Sequence, residues 1–170
     1  MRAAEFLENA DIQYSLATPD QLPTEVIQSI AELIATGGEV APGVVMRNLN
    51  SAQSIAYASD AGKPVGVIVL KNPLPEYRRK VFAAAGIPNQ ERNYNPELGY
   101  VYLIPRYREQ GVAAQLLRLM NRSAPGNSFA TTRENNTTIN KILQFAGYRV
   151  TGTPYPSARG DYNLLLWTKQ

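Results

Sequence analysis

Residues 98–117 leave little freedom of architecture. Leu98–Ile104 is dense in aromatic and aliphatic side chains and predicts a strand. Pro105–Gln110 is a polar connection, and Gly111-Val112-Ala113-Ala114 then opens a helix with Val112, Leu116, Leu117 and Met120 on one face. That helix ends before Pro125-Gly126. Ser128–Thr132 predicts a short strand. Asn135–Ala146 predicts a helix with Ile139, Ile142, Leu143 and Ala146 on its apolar side, stopped by Gly147. Arg149–Gly152 and Tyr162–Thr168 read as a closing strand pair. Strands and helices in this order require a sheet with helices laid on it.

The first half adds hairpins. Ile12–Ala17 reads as a first strand. Asp20 or Thr24 can cap a helix with Pro23 near its first turn, carrying Val26, Ile27, Ile30, Leu33 and Ile34 and ending at Gly37-Gly38. A second short helix falls around Val44–Leu49. Ser54–Ser59 and Pro64–Leu70, joined by Asp60-Ala61-Gly62-Lys63, read as a β-hairpin. Glu76–Ala85 predicts a helix with Gly86 as its stop, and 87–96 an exposed loop. The fold class is therefore α/β (α+β), with a mixed, mostly antiparallel sheet flanked by helices. The 170 residues suit one domain, with 72–96 as an insertion or lid.

The chain has no Cys and no His. That excludes a disulfide scaffold, a Cys nucleophile, a Cys/His zinc site and a His general base. Catalysis has to use carboxylates, Tyr, Ser/Thr, Lys, backbone amides or water. The longest aliphatic stretch, Val65–Leu70, is far short of the ~20 residues of a membrane span. The start carries Glu5, Glu8 and Asp11 where a signal peptide would be basic and then apolar, so a cytoplasmic protein is expected. Residues 1–97 hold 8 Lys/Arg and 11 Asp/Glu, a balance of −3, and residues 98–170 hold 9 and 3, a balance of +6. The second half should attract an anion.

A strand that runs through a loop and a glycine into a helix start supplies a place for one. The first helical N–H groups lack intrahelical partners and carry partial positive charge, each favourable contact being worth about 0.3–1 kcal/mol. Arg106 and Arg108 add formal charge beside it. No G-x-x-x-x-G-K-[ST] and no G-x-G-x-x-G is present. What is present is Arg108-Glu109-Gln110-Gly111-Val112-Ala113, an R-x-x-G-x-A stretch between strand and helix, and then Asn136 with Gly147-Tyr148 eleven residues on. Together these segments resemble the acyl-CoA pyrophosphate loop and the following helix of the GCN5-related N-acetyltransferases (the GNAT superfamily).

The resemblance implies an acyl-CoA N-acyltransferase fold with two splayed central strands, Leu98–Ile104 and Ser128–Thr132, and the pantetheine arm between them. It implies main-chain contacts from Leu103 and Ile104 to the pantetheine amides. It implies a pyrophosphate held by the backbone of Arg108, Glu109, Gln110, Gly111, Val112 and Ala113, with Asn136 as a further contact. The cosubstrate would be acetyl-CoA or another acyl-CoA, with no metal, and the partner an unidentified amine. With no Cys, transfer would be direct, in a ternary complex. A base is needed, because alkyl amines are protonated at neutral pH. Glu97 precedes the central strand, where the family often places one, and Glu134 follows the second strand. Tyr102, Tyr148 and Tyr155 are candidate acids, and the Ile104 N–H a candidate oxyanion donor.

Two departures stand out. Glu109 replaces a usual glycine, and Leu143 stands where the family often has the Tyr that protonates the departing thiolate. Each residue also has a plainer reading: Asn136 as a helix cap, Glu97 as a strand-edge residue, the tyrosines as core or rim, and Leu143 as packing. Two alternatives follow. One is an acyl-CoA-binding module without turnover. The other, ranked last, is a nucleic-acid-associated protein or an acetyltransferase of aminoacyl-tRNA. No membrane partner is expected. A homodimer would use an exposed terminal strand such as Asn163–Trp167.

Overall fold

The structure, a computed structural model, describes residues 11–37, 40–123 and 126–170. Gly38, Pro125, Glu5 and Glu8 lie outside the described residues. Among the described residues eight strands form one sheet in the order β1-β2-β3-β4-β5-β8-β6, with β7 also paired to β8. They are β1 (Ile12–Ala17), β2 (Ser54–Asp60), β3 (Lys63–Lys71), β4 (Glu97–Leu103), β5 (Ser128–Arg133), β6 (Arg149–Val150), β7 (Tyr155–Pro156) and β8 (Asn163–Lys169). All pairings are antiparallel except β4 with β5. The expected mixed, mostly antiparallel sheet is thus what forms.

Among the described residues five α-helices cover it: α1 (Thr24–Ala35), α2 (Pro42–Asn50), α3 (Pro75–Ala84), α4 (Val112–Ser123) and α5 (Thr137–Phe145). Strand alternation sorts them between the two faces. Ile68 and Leu70 of β3 join Leu116, Met120 and Leu143 in the core under α4 and α5. Val67 and Val69 join Ile27, Ile30 and Leu49 under α1 and α2 on the opposite face. Phe82 of α3 packs with Phe129, Tyr94, Tyr155 and Leu166 on that second face. Phe82 stacks on Tyr94 at 5.7 Å between centroids and meets Phe129 edge-on at 5.4 Å.

Several expectations need correcting. Neither Asp20 nor Thr24 caps α1: Pro23 occupies the cap, and Asp20 lies in a separate 3-10 turn, Pro19–Gln21. Residues 87–96 are not an exposed loop. Pro88–Asn93 forms a 3-10 turn, Glu91 is buried against Arg78, and Tyr94 is core. A polar sequence concealed this, because the burial comes from α3 packing beside it. β8 is paired on both edges, to β5 and to β6 and β7, so it offers no free edge to a second subunit. β7 had no sequence signal. Among the described residues no helix is long and apolar enough to cross a membrane, and no cluster of three or more acidic side chains could hold a metal ion.

Candidate functional site

β4 and β5 meet in register only at Glu97 and Phe129. The Phe129 N–H donates to Pro96 O (3.0 Å) and the Asn95 N–H to Asn127 O (3.2 Å), so the two strands are laced at their starts. Beyond that point no register pair joins them among the described residues, and the sheet is split. β4 is also bulged. Tyr102 faces Val67 and Gly99 faces Val69, so Tyr100 and Val101 together stand opposite Ile68. Tyr100 is left-handed at φ 48, which costs a non-glycine residue roughly 1–2 kcal/mol. Asn48 Nδ2 donates to its hydroxyl at 2.6 Å, and the Lys71 ammonium lies 4.6 Å from its ring centroid. Held strain of this kind gathers at functional sites.

At the far end of β4 the chain turns through Pro105–Tyr107 into α4. Tyr107 is buried, and its hydroxyl donates to Asp60 at the tip of the β2–β3 hairpin, which pins the turn. Glu109 and Gly111 are both left-handed, at φ 63 and φ 81. Among the described residues, no protein atom accepts from the N–H groups of Glu109, Gln110, Gly111, Val112 or Ala113 at hydrogen-bonding geometry. A Cβ on Gly111 would meet nothing within 4 Å. The result is a run of donors without a protein acceptor at a helix start, with Glu109, Gln110 and Gly111 exposed.

The main chain of β4 divides its loyalties. Ile104 N–H donates to Val65 O (2.9 Å) and its carbonyl accepts from Tyr107 N–H (2.9 Å). Its N–H is committed to β3, which overturns Ile104 as an oxyanion donor; its carbonyl, like that of Leu103, holds one bond and keeps a second lone pair. Adjacent residues of a strand point their polar groups in opposite directions. Leu103, beside it, therefore presents its main chain to the split, where its carbonyl accepts from Arg108 Nε at 3.0 Å. Arg108 also lies 5.9 Å from the Tyr102 ring, so its cation folds back over the split mouth. Arg106 turns to Tyr107 and Asp60.

The floor of the split is a polar cluster. Glu97 is only 3% exposed. Tyr77 of α3 donates to Glu97 Oε1 at 2.9 Å, and Lys71 Nζ lies 3.1 Å from Oε2. The Thr131 hydroxyl on β5 acts on the same Tyr77 phenol. Burial, and then the Glu97 charge, push that phenol far above its ordinary value. Tyr155 is 8% exposed, and among the described residues its hydroxyl has no hydrogen-bond partner. Burial first, and Glu97 second, raise it to about 12. Glu97 is therefore not a strand-edge residue: both of its oxygens are occupied, and α3 reaches across the split to hold one.

The remaining sequence candidates scatter. Tyr102 is half-buried on the α1 side, against Gly37. Tyr148 is core, its hydroxyl 2.7 Å from Ser128 Oγ. Burial raises it, and the Ser128 bond opposes that. Being sealed and satisfied, it is no proton donor to a substrate, which corrects its candidacy. Tyr148→Phe is expected to lower stability by about 1–3 kcal/mol, from the orphaned Ser128 hydroxyl. Melting curves check this, and an unchanged melting temperature would show that the Ser128 bond contributes nothing. Asn136 caps α5, its side chain accepting from Ile139 N–H at 3.3 Å. Leu143 packs in the core under α4. Glu134 is exposed. Sequence reasoning missed Lys71, Tyr77 and Thr131, which lie far apart along the chain and match no motif.

No family model matches the sequence, and no curated protein matches it. Solved structures do. An acyl-CoA N-acyltransferase from Pseudomonas aeruginosa aligns with a TM-score of 0.65 at 11% identity, over 94% of this chain and 99% of that one. A GNAT-family acetyltransferase from Bacillus cereus aligns at 0.63 and 15%, over 93% and 98%. A chain of the NatC complex bound to Gag peptide and CoA aligns at 0.66 and 17%, over 94% and 98%.

Proposed function

We propose that this chain, which has the fold of the GNAT acetyltransferases, moves an acyl group, acetyl first among them, from an acyl-CoA to a primary amine. The observation that carries the reading is the run of free N–H groups from Glu109 to Ala113, with open space at Gly111. A diphosphate satisfies several such donors at once, at a helix end that favours negative charge. From there the pantetheine arm lies along the split, against Leu103, and the thioester comes to the bulge at Tyr100.

Glu97 then removes a proton from the entering ammonium, and the amine attacks the thioester carbon. The C–N bond forms, the C–S bond breaks, and the second nitrogen proton passes to the departing thiolate. With Leu143 in the core and Tyr148 sealed, the departing thiolate takes its proton from the nitrogen; the buried Tyr155 phenol, raised to about 12, is too weak an acid to be its source.

A second reading, an acyl-CoA binder without turnover, draws on the ion pair that occupies Glu97. One experiment separates them. Acetyl-CoA at 100 times its dissociation constant should stabilise the fold by about 2.7 kcal/mol, about 5–10 °C in melting temperature for a chain of this size. Thiol release with a panel of amines then reports turnover. A shift without thiol release supports the binder, and no shift at millimolar ligand defeats both readings.

A further inference from the structure

β3 ends on Lys71, whose ammonium sits 3.1 Å from Glu97 Oε2 with the side chain 17% exposed. Its stem lies directly on β4. A Cβ on Gly99 would fall 2.7 Å from Lys71 Cε and 3.0 Å from Nζ. The missing side chain at Gly99 is what lets this lysine lie flat beside the bulge, against the Tyr100 ring. Stability gives no reason for the arrangement, since the desolvation cost of a largely buried ion pair offsets its attraction. The chemistry does give one: a primary amine and a carboxylate stand in contact where β4 and β5 part.

We propose that Lys71 is an acyl acceptor within its own chain, and that a thioester held in the split acylates its Nζ. The inference rests on the acyl-CoA site proposed above. Glu97 takes one proton from the Lys71 ammonium. The freed Nζ lone pair attacks the thioester carbonyl carbon, the C–N bond forms and the C–S bond breaks. The second nitrogen proton passes to the departing thiolate. The products are an amide at Lys71, free CoA thiol and one proton, which Glu97 returns to solvent. The amide carries no charge to pair with Glu97.

The test incubates the protein with acetyl-CoA and no other amine, and follows it by intact mass and peptide mapping, with a thermal melt run in parallel. One acetyl group is expected on Lys71, at a rate independent of protein concentration. It should form about tenfold or more faster than on the exposed Lys63, Lys80 and Lys141, because the amine is already positioned. Glu97→Gln should slow it by about tenfold or more. Lys71→Arg should abolish it while the melting shift with acetyl-CoA persists. A normal melting shift with Lys71 unmodified, or modified no faster than the exposed lysines, overturns this inference alone. Absence of the melting shift overturns it together with the acyl-CoA reading.

Discussion

Replacing Glu97 by Gln is expected to lower turnover of acetyl-CoA with an external amine by about 100-fold or more, the usual contribution of a positioned general base. Acetyl-CoA affinity should stay nearly unchanged, because the loop at Gly111 is at the opposite end of β4. Fold stability should fall as well. Glu97 is buried, and its loss leaves the Lys71 ammonium without its carboxylate, which costs several kcal/mol when such a pair is broken on one side. The ratio of kcat to binding separates chemistry from structure: kcat should fall in Glu97→Gln while the acetyl-CoA dissociation constant holds. Turnover near that of the parent would remove Glu97 from the mechanism.

Gly111→Val should abolish acetyl-CoA binding, with Kd rising by about 100-fold or more, equivalent to ~2.7 kcal/mol. A side chain at φ 81 is strained, the more so when β-branched, and its Cβ would enter the space through which a diphosphate approaches the free N–H groups. Stability should fall by only about 1–2 kcal/mol, so the folded fraction remains high and calorimetric titration measures binding cleanly. Glu109→Gly should act in the opposite direction. It relieves the left-handed strain at φ 63 and removes a carboxylate from an anion site. Tighter binding and a higher melting temperature are the expected result. If Gly111→Val binds acetyl-CoA as the parent does, the loop is not the diphosphate site.

The left-handed backbone at Glu109 also explains a departure visible in the sequence. The glycine usual at that place in the GNAT loop that this stretch resembles suits a residue with positive φ, and this chain tolerates the strain instead. Other parts of the site were less legible. Glu97 could be picked out from its place before the central strand, but its partners could not. Tyr77 comes from a helix that reads as a possible insertion, and Lys71 from the end of a hairpin strand. Ile104 and Leu103 look alike in sequence, yet only one of them turns its main chain to the split.

Local periodicity and turn chemistry determined the order of strands and helices, the place where β4 hands over to α4, and the glycine that leaves donors exposed there. Those are short-range properties, set by neighbours within a few residues. Tertiary structure alone decided that α3 lays Tyr77 on Glu97, that Lys71 crosses Gly99 to the same carboxylate, and that Tyr148 is sealed while Tyr155 keeps a free hydroxyl. Each of those contacts joins residues at least twenty positions apart. They depend on how sheet and helices pack, and no spacing rule along the chain encodes them.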